Sequence, residues 1–357
     1  MRRTLFVWLL GVLAIATLLV GALYMARSGS ASSEDDDLKV NVDLPREEAK
    51  LAHFFRRPFE ASPEAFRNYV LTFADNLMFE AAIAEADKAL TRFPNDPQLV
   101  AVCVPNAARC YGLLGRERAS VRYLEDKVVL YGNDARPVRR GLGLGAWLRL
   151  CVRSHKVWLA RRKGAYASAA QHCGDMIASV EALMATKTMD IVDIHALADL
   201  VVTQGKLWEG ATEFERAATA YERAMRFIQD NLPSQENSAA ENSAKRILES
   251  WAKRLPDWIA RCKHPASVPV VQRTLARVDW LIEEGEWQMS DGRNYPAAQA
   301  RFEEALTTLR SFNMADLDKD TSARYQHLRD VELPAQVKGA RETEDLKNNI
   351  RKQHDLN

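Results

Sequence analysis

Five cysteines are the first residues to test for chemistry: Cys103, Cys110, Cys151, Cys173 and Cys262. None forms a C-x-x-C pair, so the spacing supports neither a zinc site nor a thioredoxin-like dithiol. A lone cysteine in helical sequence reads as a small buried hydrophobe. Cys103 and Cys110 fall near one helical face about two turns apart, beyond disulfide reach. A bridge from Cys151 to another helix stays open in an oxidising compartment. His172 beside Cys173, and Cys262 with His264, are the nearest approaches to a thiol–base or metal pair. Adjacent helical residues point about 100° apart and do not converge on one ion. Asp316, Asp318 and Asp320 alternate as at the start of a calcium loop, but Thr321 stands where that loop needs glycine and His327 where it needs glutamate. These aspartates read as a polar turn with an N-cap. G-x-S-x-G, H-E-x-x-H and phosphate-binding glycine loops are absent, so no catalytic residue, metal ligand or cofactor is expected and the chain is read as a non-enzyme.

A charge block carries the stronger signal. Between Asp134 and Asp175 lie forty residues without an acid but with nine cations, among them Arg139, Arg140, Arg149, Arg153, Arg161 and Arg162. Spread over two helices, with Trp147 and Trp158 close by, they predict a positive surface for an acidic peptide, anionic headgroups or an acidic glycan. Those six arginines are the candidate partner-binding residues. The competing reading is a solvated face whose acids come from neighbouring helices. The whole chain carries 49 Lys+Arg against 48 Asp+Glu over 357 residues, which speaks against a nucleic-acid coat.

The elements that must position these residues are helices. From about residue 44 apolar residues recur every three or four positions, with no sustained period-two alternation, so the fold class is all-α. Residues 5–25 form an uncharged apolar run of 21 residues, enough to cross a hydrocarbon layer of about 30 Å. Arg2 and Arg3 precede it and an acidic run, Glu34 to Asp37, follows, placing the N-terminus in the cytoplasm and the bulk across the membrane, in the periplasm of a bacterium. Gly29-Ser30-Ala31 offers a signal-cleavage alternative, but a signal core is usually about 7–15 residues, which favours a retained single-pass anchor in the cell (inner) membrane. The expected organisation is an anchor at 1–27, a flexible acidic linker at 28–48, a helical repeat domain at 49–313 and a polar helical cap or tail at 314–357.

Within the repeat domain an aromatic residue precedes an alanine by three at Phe79/Ala82, Tyr166/Ala169, Phe214/Ala217 and Tyr295/Ala298. A second alanine follows seven later at Ala89, Ala224 and Ala305, with Tyr221 and Phe302 between two of the pairs. Pro94 closes the first unit, and Gly164 and Gly115 fit turns between helices, with Ser120 in the alanine place of a weaker unit. This pattern resembles the tetratricopeptide repeat, which implies stacked antiparallel helix hairpins, an α-solenoid, over about residues 66–312. Successive anchors at 82, 120, 169, 217 and 298 stand 38, 49, 48 and 81 apart, against about 34 for that repeat. The largest gap leaves room for an additional helical pair near 243–261 and 270–286. The carboxylate-gripping residues of some repeat proteins do not map, because their places hold Arg67, Leu71, Cys151 and His155.

Such arrays bury their apolar faces against neighbours and present an extended surface. The expected function is a membrane-anchored scaffold that binds protein or peptide partners, themselves membrane-associated, on the exported side, with no nucleic acid and no small-molecule substrate. The alternative is a basic module for anionic envelope polymer or lipid headgroups. A third class, a helical-toroid hydrolase or lyase, would require acids clustered around a cavity.

Overall fold

The computed structural model describes residues 62–139, 142–185, 189–232 and 239–355. The expected anchor at 5–25 and linker at 28–48 lie outside the described residues. Among the described residues no helix is long and apolar enough to cross a membrane.

Helix starts follow local chemistry. Ser62, Asp96 and Asp190 accept backbone N–H bonds three residues on, from Ala65 (3.2 Å), Leu99 (2.8 Å) and Asp193 (2.7 Å), and proline occupies the first position of two of these helices. The chain is built from hairpins: α1 (Pro63–Asp75) with α2 (Phe79–Arg92), α3 (Pro97–Leu113) with α4 (Glu117–Tyr131), α5 (Leu144–Arg162) with α6 (Tyr166–Met184), and α7 (Ile191–Gly210) with α8 (Phe214–Asn231). A single helix, α9 (Ala239–Lys263), precedes the pair α10 (Val270–Ser290) and α11 (Tyr295–Ser311). A short 3-10 turn, Met314–Asp316, leads to α12 (Lys319–His327), then a π turn at Leu328–Glu332 and α13 (Leu333–Asp355). Neighbouring helices stack, and each early hairpin packs its first helix on the preceding pair, an arrangement consistent with an α-solenoid.

The hairpin turns repeat one backbone solution. Met78, Arg116, Ala165 and Glu213 each donate an N–H to the carbonyl five residues back, all at 2.9 Å, the closure of a Schellman motif. That closure needs a left-handed residue, supplied by Leu77, Gly115, Gly164 and Thr212 in turn. Gly115 and Gly164 thus stand in the turns that sequence assigned them.

Packing inside the hairpins uses the small residues that the spacing singled out. Ala82, Ala89, Ser120, Ala169, Ala217, Ala224, Ala298 and Ala305 are fully excluded from solvent. Tyr221 and Phe302 are buried between helices, each seated on a glycine of the partner helix: a Cβ on Gly205 or Gly285 would come within 2.4 or 2.5 Å of a ring carbon. Phe214 departs from the pattern and is 42% exposed.

Two features differ from the sequence reading. First, the α4–α5 connection contains a two-stranded antiparallel ribbon, β1 (Pro137–Arg139) with β2 (Leu142–Gly143). Pro137 and the glycines at 141, 143 and 145 disfavour helix there, and the Gln98 amide donates to the Pro137 and Val138 carbonyls at 3.2 Å. Second, both helices expected near 243–261 and 270–286 exist, as α9 and α10, but they are not an extra pair. The buried Leu248, Leu255 and Cys262 of α9 join the core of α6–α8, and α10 is the first helix of the hairpin that holds Ala298. Of the two arrangements expected for the C-terminal segment, cap or tail, the packing is that of a cap: α13 packs on α11 with Leu333 and Ala340 buried. Asp318 N-caps α12, accepting from Asp320 (3.1 Å) and Thr321 (3.0 Å), as the aspartate spacing predicted.

The α10–α11 hairpin also crosses back over the earlier repeats, meeting the C-terminal ends of α7, α5, α3 and α1 in that order. Trp280 donates to the Lys206 carbonyl at 3.1 Å, Gln288 to that of Arg161 at 3.1 Å, and Trp158 to that of Asp291 at 2.9 Å. Arg162 reaches Gly292 O at 2.9 Å, Arg109 bonds the Asp291 carbonyl, and Arg293 bonds Ala74 O and Asp75. The last repeat hairpin thereby ties together the ends of four first helices.

Candidate partner-binding groove

The nine-cation block divides across α5. At about 100° per residue, Arg149, Arg153, Lys156 and Lys163 share one face, and Trp158, Arg161 and Arg162 lie on the other. Arg139 is in β1 with its side chain outside the described set, and Arg140 is also outside it.

The inner face is committed to the fold. Arg161 Nε and Nη2 both lie 2.9 Å from Glu284 Oε2, and its guanidinium covers the Trp287 ring at 4.1 Å. Glu284 is buried, and the Gln288 amide donates to its other oxygen at 2.9 Å. Arg162 covers Trp158 at 5.7 Å while holding Gly292. For Arg161 the acid, Glu284, does come from a neighbouring helix.

The outer face opens into a groove. α4 and α6 both pack on α5, leaving a trough whose floor is α5. Two adjoining hollows of about 620 and 540 Å³ share Glu125, Lys156 and His172 and extend along α5 from Arg149 to Lys163, a helix rise of about 21 Å. Val152 and Ala160 of α5 give apolar positions on the floor, and Val121 and Val128 line the α4 wall. Six Lys and Arg line it against three carboxylates, Glu117, Glu125 and Asp175. Lys156 bridges to Glu125 at 2.9 Å and Lys163 to Glu117, pinning α5 to α4. Arg149 donates to Gly132 O at 2.7 Å and Arg153 only to Arg149 O at 3.5 Å. Among the described residues no carboxylate lies within ion-pair range of Arg118, Arg149 or Arg153, so their charge faces the groove uncompensated. Arg118 and Arg122 were not among the predicted residues. Their signal was the stripe 118, 122, 125, 129 on α4, which only becomes a groove wall once α4 is set beside α5.

Most of the remaining ionisable groups are paired or buried. A cavity of about 640 Å³ between α9, α10 and α12 collects five carboxylates, but four are already matched. Glu209 takes Arg261 (2.7 Å) and the Tyr221 hydroxyl (2.8 Å), Asp279 takes the Tyr325 hydroxyl (3.0 Å), Glu283 takes Lys206, and Glu332 takes His327 (3.2 Å). Burial, together with Glu283 and Glu332, raises the Glu286 pKa, and burial raises that of Asp279. Cys103, Cys110, Cys173 and Cys262 are buried thiols, each pushed up to about 12 by desolvation. Cys151 is half-buried. His172 is half-buried 3.9 Å from Asp175, beside the packed Cys173, and His264 is exposed. Among the described residues no cluster of His, Cys, Asp and Glu could hold a metal ion.

No protein-family model matches the chain, and no curated protein matches its sequence.

Proposed function

We propose that this chain is a membrane-anchored scaffold of tetratricopeptide-like helix hairpins that binds protein or peptide partners on the exported side of the membrane. The single observation that carries the reading is the α5 groove, where apolar side chains are bordered by Arg118, Arg149 and Arg153, which no carboxylate among the described residues pairs with. Placement rests on the apolar run at 5–25 and the arginines before it. The likeness to tetratricopeptide hairpins is supported by the excluded alanines and by the Gly205–Tyr221 and Gly285–Phe302 seats. A preformed groove leaves most of the ordering entropy to the ligand, and anchoring raises the effective concentration of membrane neighbours.

The cation excess also favours a second reading, in which the same face holds an anionic polymer or lipid headgroups. The valines lining the groove argue for a partner with apolar side chains. A photo-crosslinking residue in place of Val152 in the full-length, membrane-embedded chain tests the first reading. Discrete protein adducts that vanish in an Arg118→Glu/Arg153→Glu background are expected. Adducts to lipid or glycan alone would overturn it in favour of the second.

A further inference from the structure

We infer that the groove receives an acidic amphipathic helix of about four turns, laid along α5 between α4 and α6. The inference rests on the partner-binding reading and gives that partner a shape and a charge. The floor from Arg149 to Lys163 is about 21 Å long, the rise of about fourteen helical residues. Both walls are helices, whose backbone groups bond within themselves. An extended strand would find no sheet edge to pair with, and recognition falls to side chains, which a helix presents without unmet main-chain groups. A polyproline segment needs aromatic slots, and the groove is lined by none of Phe, Tyr or Trp. A flat bilayer would not reach Val152 and Arg153, which are half-buried in the trough.

Charge complementarity supplies the partner's polar flanks. Arg118 stands on the α4 wall and Arg149 and Arg153 rise from α5, all without carboxylates, so acids along both sides of an incoming apolar stripe would meet them. The apolar stripe would continue past the floor, because Val129 (84% exposed) follows Arg118, Arg122 and Glu125 on the same face of α4.

The test uses the full-length chain in detergent and three labelled fourteen-residue peptides of equal negative charge: an amphipathic helix with one leucine stripe, the same composition with two central prolines, and a Glu/Ser peptide. Fluorescence anisotropy should give binding of the first at least about tenfold tighter than either other. Arg118→Glu/Arg153→Glu and, separately, Val152→Asp should each weaken it by about tenfold or more, with melting curves unchanged for the arginine pair. Equal binding of all three peptides overturns the helical occupant and leaves a purely electrostatic groove. If no peptide binds while Val152 still crosslinks to a protein, the helix inference fails and the scaffold reading stands. Failure of both experiments removes both.

Discussion

His155 shows how one side chain can report on the packing of the repeats. Its Nε2 lies 2.9 Å from Ser120 Oγ and its ring stacks on Trp158 at 5.3 Å. Burial, with Arg109 nearby, lowers its pKa to about 4. Unfolded histidine takes a proton near pH 6.5, so between about 6.5 and 4 the unfolded state binds a proton that the folded state refuses. Stability therefore falls as pH drops through that window, by up to about 3 kcal/mol from this residue. Urea unfolding at pH 7 and pH 4.5 should show a smaller loss in His155→Gln than in the natural chain. The glycine seats give a second residue-scale prediction. Gly205→Ala or Gly285→Ala drives a methyl group into the Tyr221 or Phe302 ring and should cost about 1–3 kcal/mol in the same assay. A third contrast concerns α5. Arg161→Ala leaves the buried Glu284 carboxylate without its cation and should cost about 3–5 kcal/mol, whereas Arg153→Gln should change stability by less than about 0.5 kcal/mol.

Helices and hairpins were legible where spacing alone decides structure. Alanines seven apart with an aromatic between them can face a partner helix only as they do here, and Gly115 and Gly164 marked their turns because glycine takes a positive φ at little cost. The corresponding turns at Leu77 and Thr212 left no such mark. The Schellman closures ending in Met78 and Glu213 hold Leu77 and Thr212 left-handed against their own preference, which sequence does not reveal. Thr212→Gly should therefore be neutral or raise stability by up to about 1 kcal/mol in thermal unfolding, in contrast to the usual loss for glycine near helices. Pairing was the harder problem. That α9 and α10 belong to different packing layers depends on which neighbour each buries Leu248 or Leu281 against, a long-range fact absent from local periodicity.

At the scale of the whole molecule, the basic block behaves as two systems. Sequence placed nine cations in one surface because it counted charge along the chain, and α5 then sorts them by angle, Arg161 and Arg162 toward the returning α10–α11 hairpin and Arg149 and Arg153 toward the groove. The hairpin's bonds to the ends of α1, α3, α5 and α7 couple distant repeats. Calorimetry should give one unfolding transition for the natural chain, and the double variant Trp158→Phe/Arg162→Ala should broaden it or split it in two. The central claim is that the outer face of α5 grasps a partner. Hydrogen–deuterium exchange of the full-length chain, with and without the acidic amphipathic peptide, tests it most directly. Slowed exchange confined to α4, α5 and α6 is the predicted result. Protection centred on α9–α12 around the mixed-charge cavity, or no protection at saturating peptide, would contradict it.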